Sequence, residues 1–498
     1  MNNYVYCILR GKGDIKMGVL SNYEPKEALY YFEELTKIPR ATFNCKQVSD
    51  YCVQFAKDLG LEWYQDEAHN VVIKKPGTPG YENAAHVIMQ GHIDLVAVKT
   101  EGYEHDFTKD PLKLFVEDGK IGALNTSLGA DDGIAIAYAM AILASKDIPH
   151  PPIEALFTAD EEQSMNGAKN IDMSLFKGKM VMNLDGEEEG TFVVGCAGGF
   201  ICRVHIPFTR VEEAGQKVVL SVRGLTGGHS GGEIQNQRGN SNKLIGRRLY
   251  NLSKEYDFNI VNINGGTAAN VISMFTTVEL IVEPTHVEEL IARFNAFAPV
   301  LINEFSGEED GLTLNAEVEG EATVQAMDAA STDRIIMYLV ASPHEVIAYD
   351  RAFPEACETS LNIGIVCTEE DNVYAQYQVR SSVPTKLAFM KEQLTTWAEF
   401  LGGWIETYGD YPAWSYDPNS KLQPIMARAY SKVYEGEPKF VTTHGGLEGG
   451  VFFENKPDLD TVCFGPNLFD VHSVKERVEI ASIARTWDFI KAILEEAK

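Results

Sequence analysis

Short apolar runs that stop at an acidic residue or a histidine recur along the first part of the chain. Each run is rich in β-branched and other apolar residues, which is typical of a buried strand. The clearest runs, with the residues that follow them, are 87–90 with His92 and Asp94, 153–159 with Asp160, Glu161 and Glu162, and 180–184 with Asp185.

Helical patterns alternate with these predicted strands. Residues 21–40 predict an amphipathic helix, and residues 124–145 predict a long apolar helix with Asp131 and Asp132 at its start, where acidic side chains favour the helix dipole. Strands that alternate with helices indicate an α/β sheet whose strand ends share one edge. In such sheets the functional crevice lies at the carboxyl ends of the strands.

A late segment, 461–480, shows a similar pattern, in which an apolar strand is followed by a loop and His472. Taken singly, Asp131 could be a helix cap, a histidine could be an ordinary surface or core residue, and Glu161 with Glu162 could mark a solvated turn. Five segments that converge on one sheet edge favour a site instead. The negative charge gathered there would repel itself unless divalent cations neutralise it.

The donor set indicates which metal such a site would take. Histidine nitrogen and carboxylate oxygen together suit zinc, with manganese or cobalt as possible substitutes, and the lack of cysteine ligands argues against a purely structural site. Two metal ions about 3.5 to 4 Å apart can activate water and polarise a carbonyl together, which is chemistry that cleaves amides.

Composition narrows the class of protein further. With 498 residues and 45% hydrophobic content, two or three domains are expected. The net charge of -29 opposes binding to nucleic acid or to an anionic membrane, so small molecules and divalent cations are the expected partners. The eight cysteines form no C-x-x-C pairs, which is typical of buried thiols in a reducing compartment and predicts a cytoplasmic protein.

The sequence predicts no membrane span, and its first residues are a poor signal peptide. The longest apolar stretch, 134–144, is shorter than the roughly 20 residues that cross a bilayer. Residues 1–16 lack the apolar core and cleavage site of a signal peptide. We expect them to be an upstream extension without function, since Met17 is a second plausible start.

The segment GGHSGGEI, residues 227–234, fits the G-x-S-x-G pattern of serine hydrolases at Ser230. That pattern needs a sharp turn between a strand and a helix. The predicted strand ends near Gly224 and the next predicted helix begins near Asn240, so the turn is missing. Ser230 is therefore not predicted to be a nucleophile.

In order and spacing, the chain from about Met17 onward resembles the bacterial aminoacyl-histidine dipeptidases (Xaa-His dipeptidases, peptidase D) of a dizinc superfamily that includes carboxypeptidases, aminoacylases and cytosolic dipeptidases. The motifs that carry the resemblance are GHIDLV, LGADDGIAIA, TADEE, NLDGEEEG, GCAGG, GGHSGGEI, GGTAANVI, ETSLNIG, VRSS, HGGLEGG and FGPNLFDVHSVKERV. The chain departs from the family pattern at QSMNGA after TADEE, at Asp132, where relatives often have Asn, and in HGGLEGG. None of these departures removes a proposed ligand.

The resemblance implies a role for each site residue. Two zinc ions would be bridged by Asp131, with Glu161 as the general base and Asp94 holding the second ring nitrogen of a ligand histidine. The remaining implied ligands are His92 and Asp185 on one ion, and Glu162 and His472 on the other.

The resemblance also implies residues that act on the substrate. His229 would stabilise the oxyanion of the tetrahedral intermediate from a second domain, although a glycine-rich turn with an incidental histidine is the alternative. Asn270 would face the substrate, or simply form a turn. Arg380 would bind the substrate's terminal carboxylate, or form a surface salt bridge. Glu448 would line the pocket near the metals.

The implied architecture is a zinc-peptidase-like α/β catalytic domain, with a central mixed sheet flanked by helices, formed by 17–203 and 400–498. An inserted α+β domain, 204–399, would serve as a lid that closes over the substrate and forms a homodimer. The expected activity is metal-dependent hydrolysis of dipeptides, chiefly Xaa-His and carnosine-like ones. The alternatives are a related tripeptidase, an N-acyl-amino-acid hydrolase, or a non-catalytic metal-binding protein of the same fold.

Overall fold

The computed structural model describes residues 18–305 and 307–498. The predicted extension at 1–16 lies outside the described residues. The chain divides into two compact units, of which unit 1 comprises residues up to Val193 with 418–440 and 458–498, and unit 2 comprises 194–417 with 441–457.

These bounds differ from those of the predicted domains. Unit 2 begins at Val194 and ends its main segment at Asp417, and it also includes the short segment 441–457. The assignment of 204–399 to a lid and dimerisation domain stays a prediction.

The helices and strands of the described residues are numbered in chain order. The helices are α1 Lys26–Leu35, α2 Lys46–Asp58, α3 Ala130–Ala144, α4 Glu161–Ser164, α5 Asn166–Asn170, α6 Ser241–Leu252, α7 Val287–Asn295, α8 Ala298–Glu304, α9 Ala329–Ala341, α10 Pro384–Phe400, α11 Leu422–Val433, α12 Glu448–Asn455 and α13 Ile480–Glu496. The strands are β1 Glu62–Gln65, β2 Val71–Lys75, β3 Val87–His92, β4 Leu114–Glu117, β5 Lys120–Ala123, β6 Ile153–Thr158, β7 Met180–Asn183, β8 Thr191–Cys196, β9 Gly198–Pro207, β10 Arg210–Arg223, β11 Phe258–Gly265, β12 Thr276–Val282, β13 Thr313–Met327, β14 Glu345–Tyr349, β15 Cys357–Thr368, β16 Asn372–Ser381, β17 Trp404–Tyr411, β18 Lys439–Thr443, β19 Asp460–Cys463, β20 Leu468–Phe469 and β21 Arg477–Glu479.

A mixed sheet with the strand order β1-β2-β6-β3-β7-β19-β8-β18 organises unit 1. Its central strands β6, β3, β7 and β19 run parallel. The predicted strands therefore exist, and β3 extends two residues further than predicted and includes His92. Because the central strands are parallel, their carboxyl ends meet at one edge of the sheet, as the sequence pattern indicates.

Helix α3 packs against this sheet and is apolar on every side, since nearly all of its residues are buried. Its first turn departs from helical geometry, because Asp131 has φ -79° and ψ 105°. The peptide bond between Asp131 and Asp132 is cis. The predicted pair of acidic residues thus lies at the start of the helix, as expected.

Unit 2 is built on an antiparallel sheet with the order β13-β10-β12-β11-β15-β16-β9-β17, and β14 pairs with β15. Its alternating strand residues and the helices α6, α7, α9 and α10 enclose one continuous apolar core. This arrangement of helices on an antiparallel sheet is α+β, as predicted for the inserted domain.

Candidate metal centre

The carboxyl ends of three central strands bring most of the predicted ligands of unit 1 together. In the register of the sheet, His92 at the end of β3 lies beside Thr158 at the end of β6. Asp185 follows β7 by two residues, and Glu162 lies in the short helix α4 directly after β6. The parallel register therefore places residues from distant parts of the sequence at one edge.

Asp131 lies between the two histidines. Its Oδ1 is 2.9 Å from Nε2 of His92, and its Oδ2 is 3.1 Å from Nε2 of His472. The Asp131 side chain is only 11% exposed. The two oxygens of one carboxylate thus face two different imidazoles, which is the arrangement that a bridging ligand requires.

A further carboxylate accompanies each imidazole. Asp185 Oδ1 lies 3.7 Å from Nε2 of His92, and Glu162 Oε2 lies 3.0 Å from Nε2 of His472. The potential ligand atoms of His92, Asp131 and Glu162 all lie within 4.8 Å of one another. The predicted ligands are therefore assembled into one cluster, and their roles as metal ligands remain a prediction.

The electrostatics of the two histidines reflect the surrounding carboxylates. Burial lowers the pKa of His92, but hydrogen bonds to Asp131 and Asp94 outweigh burial and hold this pKa well above its usual value. Hydrogen bonds to Asp131 and Glu162 raise the pKa of His472 to about 10. Positive charge is thus strongly favoured at both positions.

The carboxylates are crowded enough to disfavour full ionisation. Burial, followed by the charge of Asp132, raises the pKa of Asp185 well above its usual value, and Asp131 and Glu161 add to this shift. A divalent cation would relieve this repulsion without a proton.

The spacing of the donors also fits zinc. Two ligands about 2.1 Å from a tetrahedral zinc lie roughly 3.4 Å apart, and the imidazole-to-carboxylate distances given above range from 2.9 to 3.7 Å. Glu162 Oε1 is buried and has no hydrogen-bond partner among the described residues. The residues therefore fit the binding of divalent metal ions.

Asp94 connects the histidine of β3 with the acidic turn after β6. Its Oδ1 lies 3.4 Å from Nδ1 of His92 and accepts a hydrogen bond from the backbone N–H of Glu161 at 3.1 Å. Its Oδ2 accepts from the backbone N–H of Glu162 at 3.4 Å. Asp94 is fully buried, so it can orient His92 and the two glutamates at once.

In unit 2, His229 and Asn270 lie on two paired segments. His229 forms a β-bridge with Val271, and the N–H of Ser230 donates to the carbonyl of Asn270 at 2.8 Å. Asn270 itself lies in a turn. The sequence motifs GGHSGG and GGTAANVI are therefore neighbours, as expected if both serve the same substrate.

The ends of the His229 loop are held by Glu309, which is 1% exposed. Its carboxylate accepts hydrogen bonds from the N–H of Thr226 at 2.7 Å and from the N–H of Gly239 at 2.8 Å. A segment distant in sequence thus fixes the loop at both of its ends.

The side chains of His229 and Ser230 differ in exposure. Ser230 is 1% exposed, and its Oγ has no hydrogen-bond partner among the described residues, whereas His229 is exposed. Strand β10 ends at Arg223 and helix α6 begins at Ser241, so the sharp strand-turn-helix connection of a serine nucleophile is missing. The expectation that Ser230 lacks this context is confirmed.

Arg380 is buried rather than part of a surface salt bridge. Its Nη1 donates to the hydroxyl of Tyr411 at 2.7 Å and to the carbonyl of His444 at 3.3 Å. The ring of His444 is hydrogen-bonded to the hydroxyl of Ser360 at 2.7 Å. Glu448, at the start of α12, is also buried in unit 2.

Sequence reasoning missed several residues around the site. Asp132, which was predicted to be a helix-start acid and a departure from the family pattern but not a ligand, offers an oxygen within 4.8 Å of the donor atoms of His92 and Asp185. Glu476 and Arg40 hold the loop that carries Asp131. Asp132 lies in the motif LGADDG, and Glu476 lies in the motif HSVKERV. Neither motif by itself shows which buried groups these residues contact.

An α/β sheet that gathers two imidazoles and several carboxylates at its carboxyl edge suits a metal-dependent hydrolase, and the comparisons show that the class is that of a metallopeptidase. The chain belongs to peptidase family M20/M25/M40, whose profile matches residues 88–496. It is 33% identical over 482 residues to the cytosol non-specific dipeptidase of Escherichia coli K12, covering 96% of this chain and 99% of that protein.

Solved structures extend the comparison to the fold. The crystal structure of aminoacylhistidine dipeptidase from Vibrio alginolyticus superposes with a TM-score of 0.91 at 36% identity, covering 96% of this chain and 97% of the other. Aminopeptidase PepT from Bacillus cereus shares the fold, with a TM-score of 0.54 at 18% identity over 95% and 99% of the two chains.

The helices of the described ranges, 18–305 and 307–498, include none with the length and apolar character needed to cross a membrane.

Proposed function

We propose that the protein is a cytoplasmic, homodimeric dipeptidase that holds two zinc ions and prefers dipeptides with a C-terminal histidine, including carnosine-like ones. The observation that carries the proposal is the position of Asp131, whose two oxygens face His92 and His472 separately. The relatives named for non-specific and for aminoacylhistidine dipeptidase activity support a dipeptide substrate.

The metal ligands are proposed as the resemblance assigns them, in two sets that share Asp131. When bound, the two metal ions would activate a water molecule and polarise the scissile carbonyl. The proposed ligands are His92 and Asp185 on one side, Glu162 and His472 on the other, and Asp131 on both.

Glu161 is the proposed general base. Its backbone N–H is held by Asp94, and it is the adjacent Glu162 whose carboxylate lies 3.0 Å from Nε2 of His472. A carboxylate free of metal bonds can take a proton from water and later deliver it to the leaving amine. The two adjacent glutamates, Glu161 and Glu162, therefore have different roles.

His229 is the proposed oxyanion donor. Its Nδ1 accepts a hydrogen bond from the N–H of Gly231 at 3.2 Å, so a neutral ring carries its proton on Nε2. Although the residue is exposed, partial burial of its ring, followed by the charge of Arg380, lowers the pKa of His229, which favours this neutral form. The Nε2–H group is then a donor suited to a developing negative charge.

Arg380 is the proposed partner of the substrate's terminal carboxylate. Its Nε is buried and has no hydrogen-bond partner among the described residues, which leaves a donor for a ligand. A guanidinium can bind a carboxylate through two parallel hydrogen bonds. Asn270, on the turn next to His229, and Glu448 are the further proposed substrate contacts.

The test is a panel of dipeptides, tripeptides and N-acyl amino acids, assayed before chelation, after chelation and after return of zinc. We expect activity on dipeptides that is lost on chelation and restored by zinc, with histidine released faster than other C-terminal residues. Equal rates for all dipeptides would reduce the proposal to a non-specific dipeptidase. Activity that survives complete metal removal would refute the metal-dependent mechanism.

A further inference from the structure

Glu476 is a buried carboxylate that holds the loop leading to Asp131. It is 2% exposed and lies four residues after His472. Its Oε2 accepts hydrogen bonds from the backbone N–H groups of Leu128 at 2.8 Å and Gly129 at 3.0 Å, and its Oε1 accepts from Ala130 at 2.8 Å. One side chain thus satisfies three successive N–H groups at the start of α3, a task usually met by a local cap.

Arg40 holds the same loop from another direction. Its Nη2 donates to the carbonyl of Gly129, and its Nη1 donates to the carbonyls of Ile93 at 3.0 Å and Asp94 at 2.9 Å. The guanidinium is 2% exposed. Gly129 is therefore fixed at its N–H by a buried anion and at its carbonyl by a buried cation.

The glycines of LGADDG make room for this cation. Gly129 has φ +67°, a conformation that favours glycine, and a Cβ there would lie 2.6 Å from Nη2 of Arg40 and 2.7 Å from Cδ2 of Leu95. A Cβ on Gly133 would also collide with the guanidinium. The spacing of the two glycines is thus explained by the buried arginine.

The contacts connect the three chain segments that carry the histidines and the bridging aspartate. Arg40 joins the segment after His92 to the Asp131 loop, and Glu476 joins that loop to the segment of His472. Removing two charges from water is costly unless each is hydrogen-bonded. Glu476 accepts hydrogen bonds from three backbone N–H groups, and the two Nη atoms of Arg40 donate three, whereas Nε of Arg40 has no partner among the described residues. Without these hydrogen bonds, His92, Asp131 and His472 could shift relative to one another.

We propose that Glu476 and Arg40 are positioning residues. They set the distance between Asp131 and the two histidines, and thereby the affinity for at least one of the two metal ions. This inference rests on the proposed metal centre, but it does not depend on the substrate. Partners of this kind behind metal ligands typically change metal affinity about 10- to 100-fold when they are replaced.

The test uses Glu476→Gln, which keeps the side-chain shape but turns an amide donor toward backbone N–H donors. Cobalt(II) is titrated into the metal-free full-length protein while the visible absorption spectrum is recorded. We expect weaker binding of at least one cobalt ion, by about 10- to 100-fold, and an altered spectrum. Glu476→Asp, which keeps the charge, should recover part of the affinity.

Glu154→Gln is the matched control. Glu154 is also a buried carboxylate of unit 1, and it accepts hydrogen bonds from the N–H groups of Lys177 and Gly178, but it lies at the amino end of β6. Its replacement should lower the melting temperature and leave the cobalt titration unchanged. A merely structural role for Glu476 would give this same result and would overturn the proposal.

Two further outcomes separate this inference from the proposed function. If Glu476→Gln does not fold, Arg40→Lys provides the same readout, and wild-type cobalt binding in that variant would overturn the proposal. A wild-type protein that binds two cobalt ions but cleaves no dipeptide would refute the proposed function, while a weakened titration in Glu476→Gln would still support the positioning role. A wild-type protein that binds no cobalt would overturn both.

Discussion

Oδ2 of Asp131 lies 3.1 Å from Nε2 of His472, although 341 positions separate the two residues in the sequence. This contact closes a cluster that begins with a strand near residue 90 and ends in a loop near the C-terminus. Because the other oxygen of Asp131 faces His92, the aspartate is the one residue shared by both halves of the proposed metal pair.

Asp131→Asn should abolish peptide hydrolysis and weaken the binding of both metal ions. In the asparagine, an amide nitrogen would replace one of the two carboxylate oxygens and would face one of the two imidazoles. The side chain could therefore not bridge two cations. Metal content after dialysis and kcat/KM for a dipeptide measure the effect. Asp172→Asn, an exposed aspartate that caps a short 3-10 helix of the same unit, is the control and should retain both properties. Full metal content with full activity in Asp131→Asn would contradict the bridging role.

Glu161→Gln and Glu162→Gln should separate catalysis from metal binding at two adjacent positions. Loss of the general base should lower kcat about 10²- to 10⁴-fold with metal content unchanged. Loss of the ligand should lower the metal content itself. If Glu161→Gln released metal while Glu162→Gln kept it, the two roles would have to be exchanged.

His229→Ala should lower kcat about 10²- to 10³-fold, the range typical for removal of an oxyanion donor. Ser230→Ala should retain most activity, because Ser230 is buried and has no context for nucleophilic attack. Steady-state kinetics of the two variants on one dipeptide make the comparison. A strong loss in Ser230→Ala with an active His229→Ala would reverse the assignment.

The free energy of unfolding should fall as the pH is lowered from about 6.5 toward 3. Burial, followed by the charge of Lys243, lowers the pKa of His344 to about 3, and burial followed by the charge of Arg380 lowers that of His444 to about 3. Both are neutral when folded but take up a proton when unfolded, so acid favours the unfolded chain over this range. Above pH 6.5 neither histidine contributes a pH dependence.

Substitution of single histidines can show which residue causes this pH dependence of the free energy of unfolding. In denaturant titrations at several pH values, His344→Gln should flatten the dependence between pH 6.5 and 3. His286→Gln, at a histidine whose side chain is 40% exposed, is the control for the exchange of an imidazole for an amide. An unchanged slope in His344→Gln would show that this residue takes up its proton in the folded state as well.

The sequence alone predicted the apolar strands that end in acidic residues or histidine, the start of the apolar helix and the types of donor at the sheet edge. These features follow from local patterns, because strand and helix periodicity and the residue after each strand are read within a few positions. The resemblance then supplied a role for each donor, including Glu161 beside Glu162.

Only the tertiary structure decided which oxygen of Asp131 faces which histidine, that Asp132 approaches the same cluster, and that Glu476 and Arg40 meet at Gly129. It also decided that the segment 441–457 belongs to unit 2. These relationships depend on hydrogen bonds between residues tens to hundreds of positions apart, and on burial of single charged side chains. Such contacts leave no periodic signal in the sequence, since each is set by the packing of the whole unit rather than by its neighbours in the chain.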